Sequence, residues 1–213
     1  EHTEYLGDTL EKIAAEKGGI IKEKTPVFIA PQIPSVKEVF KSIASQKDAK
    51  IFFIDEICKI STQFYTSSEK IKTKAVISSS FFSRPLTAEL NLAGEFQAQN
   101  AALAALAVKT AFPEISEGII EKGLSKTSLP ARFELIKNPQ NFSEIPYLVL
   151  DGAHTPKSIK LTLETIKNAN IKIDALLFAC AQDKHSKEIA ELFSQSKVTD
   201  SKNFQKIFLT VPG

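Results

Sequence analysis

Residues 147–156 read YLVLDGAHTP. Tyr147–Leu150 is a short apolar run that reads as a strand. Pro156 suits the first position of a helix, where its missing N–H costs nothing, and Thr155 suits the cap before it. The decapeptide therefore predicts a strand that turns at Asp151-Gly152 and runs directly into a helix at about Pro156–Asn168. Outward from there come a strand at Ala175–Cys180, a helix at His185–Ser194 and a strand at Ile207–Val211. Strand–helix–strand–helix–strand predicts a parallel sheet with right-handed crossovers, a Rossmann-like unit. Asp151 and His154 then sit at the carboxyl end of a strand, where open α/β sheets bind ligands. Asp, Gly and Thr-Pro are also ordinary turn residues, so position alone leaves a plain turn and a ligand site both open.

Upstream the alternation continues. Val27–Ala30, Ile51–Ile54 and Ala75–Ile77 read as strands, with a helix over Ser35–Gln46 opened by a Ser35/Glu38 capping box. An Ala-rich helix is expected at Leu92–Phe112, ended by Pro113, and a shorter one at Ser116–Leu124. Polar Ser125–Pro130 is a candidate hinge, followed by a strand at Phe133–Ile136.

The composition narrows the function classes. The chain has 213 residues, 43% hydrophobic and 24% charged, with a net charge of +2. That balance gives no electrostatic footprint for nucleic acid or a membrane surface. No apolar run approaches the ~20 residues of a membrane span, and the N-terminus lacks a signal-peptide layout. Two widely spaced cysteines, Cys58 and Cys180, make no disulfide framework, so a cytoplasmic location is the expectation. The Asn141-Phe142-Ser143 sequon carries no weight without a secretion signal. Glu1 is not an initiator methionine and Val211-Pro212-Gly213 closes directly on a strand, so both ends read as cut from a longer protein.

Four candidate positions need weighing. In DTLEKIAAEKGG (Asp8–Gly19), Asp8 and Glu11 have capping-pair spacing, and Leu10, Ile13, Ala14 and Lys17 fall on one helix face. Lys17 on that stripe is either a snorkelling side chain or a desolvated, reactive amine. His2, near the same element, is a candidate metal ligand. Asn100, in Gln97-Ala-Gln-Asn100, is either a solvated helix residue or a ligand contact. Arg132, just past the hinge, is either a surface charge or a phosphate clamp. One apparent phosphate loop is a decoy: Gly118-Ile-Ile-Glu-Lys-Gly123-Leu124-Ser125 has the glycine spacing but leucine in place of the required lysine, and falls in a predicted helix.

Taken in order, these segments resemble one family. EHTEYLGDT (1–9), IAAEKGGIIK (13–22), GEFQAQNA (94–101), LPARFE (129–134), DGAH (151–154) and FACAQDK (178–184) look like the signature segments of folylpolyglutamate synthase/dihydrofolate synthase, within the Mur-ligase type of ATP-dependent amide-bond synthetases. The resemblance implies an α/β fold. Residues 1–128 would be the second half of a Mur-ligase-type central ATPase domain. Residues 129–213 would be a Rossmann-like carboxyl-terminal glutamate-ligase domain, incomplete, with the chain truncated at both ends. It implies that ATP phosphorylates a carboxylate of folate or dihydropteroate and that L-glutamate attacks the acyl phosphate. It assigns Mg²⁺ to His2 and to Lys17 as a carbamate, ATP to Asn100, Arg132 and Asp151, and a catalytic role to Lys17 and His154. A monomer is expected. Glu1, Gly18, Ala131 and Thr155 depart from the usual Asp, Ala, Gly and Asn of these motifs. The phosphate loop, a further acidic metal ligand and the pterin-contacting loops would lie upstream of Glu1, so the chain alone is expected not to turn over ATP. Another Mur-type ligase of cell-wall precursors, or a non-catalytic nucleotide-binding module, are the alternatives.

Overall fold

A computed structural model of the chain describes residues 9–67, 70–140, 144–145, 147–180, 186–196 and 206–210. The first of these form a helix, α1 (Leu10–Gly18), whose cap is Thr9 rather than Asp8: the Thr9 Oγ1 accepts a 3.2 Å hydrogen bond from the Lys12 N–H. There follow β1 (Val27–Ile29), α2 (Pro34–Gln46), β2 (Ile51–Phe53), the short α3 (Ile54–Ile57), β3 (Cys58–Ser67), β4 (Lys70–Ser79) and β5 (Leu86–Leu90). The rest is α4 (Glu95–Ala111), α5 (Glu117–Lys126), β6 (Glu134–Lys137), β7 (Tyr147–Leu150), α6 (Pro156–Asn168), β8 (Ala175–Ala179), α7 (Ser186–Gln195) and β9 (Lys206–Thr210).

The chain divides into two compact units. One comprises Glu1–Thr62, Ala75–Ala88 and Ala98–Ser125; the other comprises Gln63–Lys74, Glu89–Gln97 and Lys126–Gly213.

In the first unit β1 and β2 pair in parallel, Val27 with Ile51 through Ile29 with Phe53. Val36, Phe40 and Ala44, spaced four apart, are the buried stripe of α2. They close a core with Ala14, Ile21 and Phe53. Burying one phenylalanine contributes about 1.5–3 kcal/mol. On the opposite face Phe28 stacks on Phe52 with centroids 5.3 Å apart, and Phe81 meets both edge-on.

The expected Ser35/Glu38 capping box is absent. Pro34 takes the first helical position, Ile33 is the cap, and no side chain caps the helix. Proline's fixed φ dictates that start. Ser35 instead hydrogen-bonds Glu11 of α1, which holds that carboxyl below its usual range.

Two carboxylates on α5 fix the loop before β5. Glu121 forms a bidentate pair with Arg84, at 2.6 and 2.7 Å, and accepts from the Thr87 N–H at 2.7 Å. Glu117 accepts from the Ser83 N–H at 3.0 Å. That bond, its own backbone N–H and nearby Lys109 push its carboxyl down to about 2.

In the second unit β6 and β7 pair antiparallel, Glu134 with Leu150 through Lys137 with Tyr147. β8 and β9 pair in parallel, Ala175 with Lys206 through Ala179 with Thr210. The expected parallel β8–β9 pair is therefore present. Among the described residues the hydrogen-bonded neighbour of β7 is β6, and that pair is antiparallel. Helix α6 buries Ile159 and Ile166, and α7 buries Ile189 and Phe193. Ile159, Ile189 and Phe193 pack with Phe178 of β8, whose ring meets Phe193 edge-on at 5.2 Å.

Strands β3 and β5 lie outside the expected elements. They flank β4 in a three-stranded sheet ordered β3-β4-β5. Among the described helices none is long and apolar enough to cross a membrane.

Candidate functional site

The loop after β7 is built around Asp151. Its Oδ1 accepts from the Ala153 N–H at 2.8 Å and from the Thr162 hydroxyl at 3.1 Å. Its Oδ2 accepts from the Phe133 N–H at 2.8 Å. The carboxylate thus ties the end of β7 to the segment that leads into β6. A second tie runs beside it, from the Gly152 N–H to the Ala131 carbonyl at 2.8 Å.

The tied segment is strained on both sides of Arg132. Ala131 and Phe133 have φ of +53° and +52°, the left-handed region that costs a residue with a Cβ roughly 1–2 kcal/mol. The Glu134 carboxylate accepts from the Ala131 N–H at 3.0 Å, and Phe133 is buried against Ile71, Ala93 and Ile166. Arg132 is exposed between these two anchored residues. Backbone held this way at both neighbours presents one side chain in a fixed direction.

His154 and the start of α6 complete the loop. The Thr155 hydroxyl accepts from the Ser158 N–H, and the Ser158 hydroxyl accepts from the His154 and Thr155 N–H groups at 3.2 and 2.9 Å. Thr155 is the cap and Pro156 the first helical residue, as the sequence predicts, with serine in the place of the usual capping-box Glu. His154 Nδ1 lies 2.8 Å from the Gly152 carbonyl. A carbonyl only accepts, so Nδ1 is the donor in this bond and Nε2 takes no part in it. His154 is exposed. The arrangement offers a guanidinium, an imidazole nitrogen and the N-terminus of a 13-residue helix on one loop cluster.

The other expected positions lie in the first unit. Asn100 is exposed in the second turn of α4. The segment before it needs its glycine: Gly94 has φ +124°, and a Cβ there would stand 2.6 Å from the Phe96 ring. Its N–H donates to the buried Thr73 hydroxyl at 3.1 Å.

Lys17 corrects an expectation. It is not part of a buried stripe: the residues of α1 that are buried are Ile13, Ala14 and Gly18, while Leu10 and Lys17 are exposed. The buried face runs through Ile13, Ala14 and Gly18, so Lys17 lies to one side of it and Leu10 falls beyond its start. Gly18 is where the packing is tightest, because a Cβ there would run into the δ-methyl of Ile43 on α2. The decoy is confirmed as helix, since Gly118 and Gly123 both lie within α5.

His2 lies outside the described residues. Among the described residues no three His, Cys, Asp or Glu side chains gather to hold a metal.

None of the protein-family models compared with the chain matches it. The dihydrofolate synthase/folylpolyglutamate synthase of Bacillus subtilis is 32% identical over 198 residues, covering 86% of this chain and 42% of that protein. The chain belongs to the folylpolyglutamate synthase/dihydrofolate synthase family. It spans about two fifths of the length of that relative and of the folylpolyglutamate synthase of Candida albicans. Two solved structures share its fold. The folylpolyglutamate synthase of Thermotoga maritima superposes with a TM-score of 0.73 at 23% identity, over 96% of this chain and 45% of that one. A folylpolyglutamate synthase complex with AMPPCP and folate gives 0.77 at 20% identity, over 99% and 56%.

Proposed function

We propose that this chain is the nucleotide- and glutamate-handling part of an ATP-dependent ligase that joins L-glutamate to folate, dihydropteroate or both. The observation that carries this reading is the loop cluster of Asp151, Arg132 and His154, set in a chain whose relatives are folate glutamate ligases. The relative from B. subtilis carries both enzyme names, and a related structure binds an ATP analogue together with folate.

In this reading the γ-phosphoryl group of ATP passes to a substrate carboxylate and ADP leaves. The glutamate amine then attacks the acyl phosphate, forming the amide and expelling phosphate. Positioning and charge neutralisation dominate such a transfer. Arg132 faces the transferring phosphate, where its planar donors match phosphate oxygens. Asp151 takes the ribose side and Asn100 the adenine. His154, with Nδ1 held by the Gly152 carbonyl, presents Nε2 to the glutamate or the transferred phosphate. Mg²⁺ is assigned to His2 and to carbamylated Lys17 by resemblance alone. Residues 1–128 form the end of the ATP-binding domain and 129–213 the glutamate-ligase domain. The enzyme is a cytoplasmic monomer.

Glutamate-dependent release of ADP by the purified chain, supplied with dihydropteroate or a reduced folate, tests the division of labour. No sustained turnover is expected, because the phosphate loop is assigned to the part of the relatives that this chain does not span. Sustained turnover would overturn that assignment. Calorimetric titration with AMPPCP tests the nucleotide reading, and Arg132→Ala is expected to abolish the binding.

A further inference from the structure

Thr162 lies in the second turn of α6, seven residues beyond the helix cap. Its hydroxyl has one proton and two acceptors at the same distance, 3.1 Å: the Asp151 Oδ1 and the Ser158 carbonyl one turn back. The second is the ordinary resting place of a helical threonine hydroxyl. The first reaches out of the helix to the loop.

We infer that Thr162 is a positioning residue for Arg132, acting through the plane of the Asp151 carboxylate. This rests on the reading of Arg132 as a phosphate contact. With the two backbone donors alone, the Ala153 N–H on Oδ1 and the Phe133 N–H on Oδ2, the carboxylate rocks about the line that joins them. The Thr162 hydroxyl is a third donor, reaching Oδ1 from α6, and it resists that motion. Oδ2 is then aimed at the Phe133 N–H, 2.8 Å away. That bond holds Phe133 at φ +52°, and with Ala131 at +53° it sets the direction in which Arg132 leaves the chain. The linkage Thr162–Asp151–Phe133–Arg132 runs from a rigid helix to an exposed guanidinium, with every step a hydrogen bond or a peptide bond.

The second acceptor gives the linkage a graded release. When a ligand hydroxyl competes for Oδ1, the Thr162 proton turns to the Ser158 carbonyl and no donor is stranded. Reorganising Asp151 toward a ligand therefore leaves the half-buried Thr162 hydroxyl with a partner.

The test compares Thr162→Val, which keeps the shape and removes the hydroxyl, with Thr162→Ser, which keeps the hydroxyl. In Thr162→Val the Phe133 amide is expected to exchange its hydrogen about fivefold faster, because its acceptor loses one of the three donors that hold it while the Phe133 bond itself remains. The amide of Phe178, in β8, is expected to keep its wild-type rate, and AMPPCP is expected to bind about three- to tenfold more weakly. Thr162→Ser is expected to restore both values. An unchanged Phe133 rate, or equal acceleration at Phe133 and Phe178, would overturn the positioning role. Wild-type protein that does not bind AMPPCP, or Arg132→Ala that binds it as tightly as wild type, overturns the nucleotide reading of the loop. The Phe133 exchange rate then decides the positioning role alone.

Discussion

Replacing Asp151 with asparagine removes one acceptor oxygen and changes almost nothing in shape. The carboxylate serves two backbone N–H groups, one on each oxygen, at 2.8 Å. An asparagine has one acceptor oxygen and one NH₂, so whichever way it is turned one N–H faces a second donor. An orphaned donor costs about 1–3 kcal/mol. The remaining bond loses its charge assistance, which roughly halves its strength and removes about 0.5–1.5 kcal/mol more. Asp151 is only half-buried, so water replaces part of the loss and a net cost of about 1.5–3 kcal/mol is expected. With a urea slope near 2 kcal/mol per molar, the unfolding midpoint falls by about 0.8–1.5 M. Circular dichroism suits the measurement, because the chain has no tryptophan. Asp151→Asn within about 0.5 kcal/mol of wild type would refute the claim that this carboxylate holds the loop, since ordinary surface substitutions fall in that range.

Acid should weaken the contact between α5 and the 83–87 loop. The Glu117 carboxyl is lowered from 4.5 to about 2, so its contribution is complete above the ordinary carboxylate range and is lost as pH falls from about 4.5 toward 2. Glu117→Gln is expected to flatten the pH dependence of the unfolding midpoint over that window, and an unaltered slope would count against it. Ala131→Gly is expected to stabilise by about 0.5–1 kcal/mol, because φ +53° strains a residue with a Cβ; thermal unfolding of the variant reads the sign. Thr155→Ala removes the hydroxyl that caps Ser158 and is expected to cost about 1 kcal/mol, measured by urea unfolding.

Local chemistry made much of this chain legible. Tyr147–Asn168 reads correctly from its residues alone, because an apolar run, a turn, a threonine cap and a first-position proline all act within a few residues of each other. The short strands β1 and β2 and the Ala-rich α4 follow equally local rules. The element β5 carries a local signal too: Leu86, Ala88 and Leu90 point inward and Thr87 and Glu89 outward, a strict alternation over five residues. In β3 the signal is weak, since serine, threonine and glutamine fill half of its length, and pairing with β4 makes it a strand.

The caps of α1 and α2 show where local reading fails. Asp8 and Ser35 both have the right spacing, but the neighbouring residue decides in each case: Thr9 caps α1, and Pro34 sets the start of α2 and leaves Ser35 to Glu11. The exposure of Lys17 follows from the close approach of Gly18 to Ile43 on α2, which turns Gly18 and not Lys17 to the core.

By itself, then, the sequence determined the alternation of strands and helices, the strand-turn-helix at Asp151 and the ordered motifs of its family, because each depends on residues close together in the chain. Only the tertiary structure decided that Asp151 spends both oxygens on backbone amides from two segments, that Ala131 and Phe133 are left-handed around Arg132, and that Thr162 belongs to the same linkage. Those depend on which distant segments meet, and burial and hydrogen bonding set that only when the whole chain is folded.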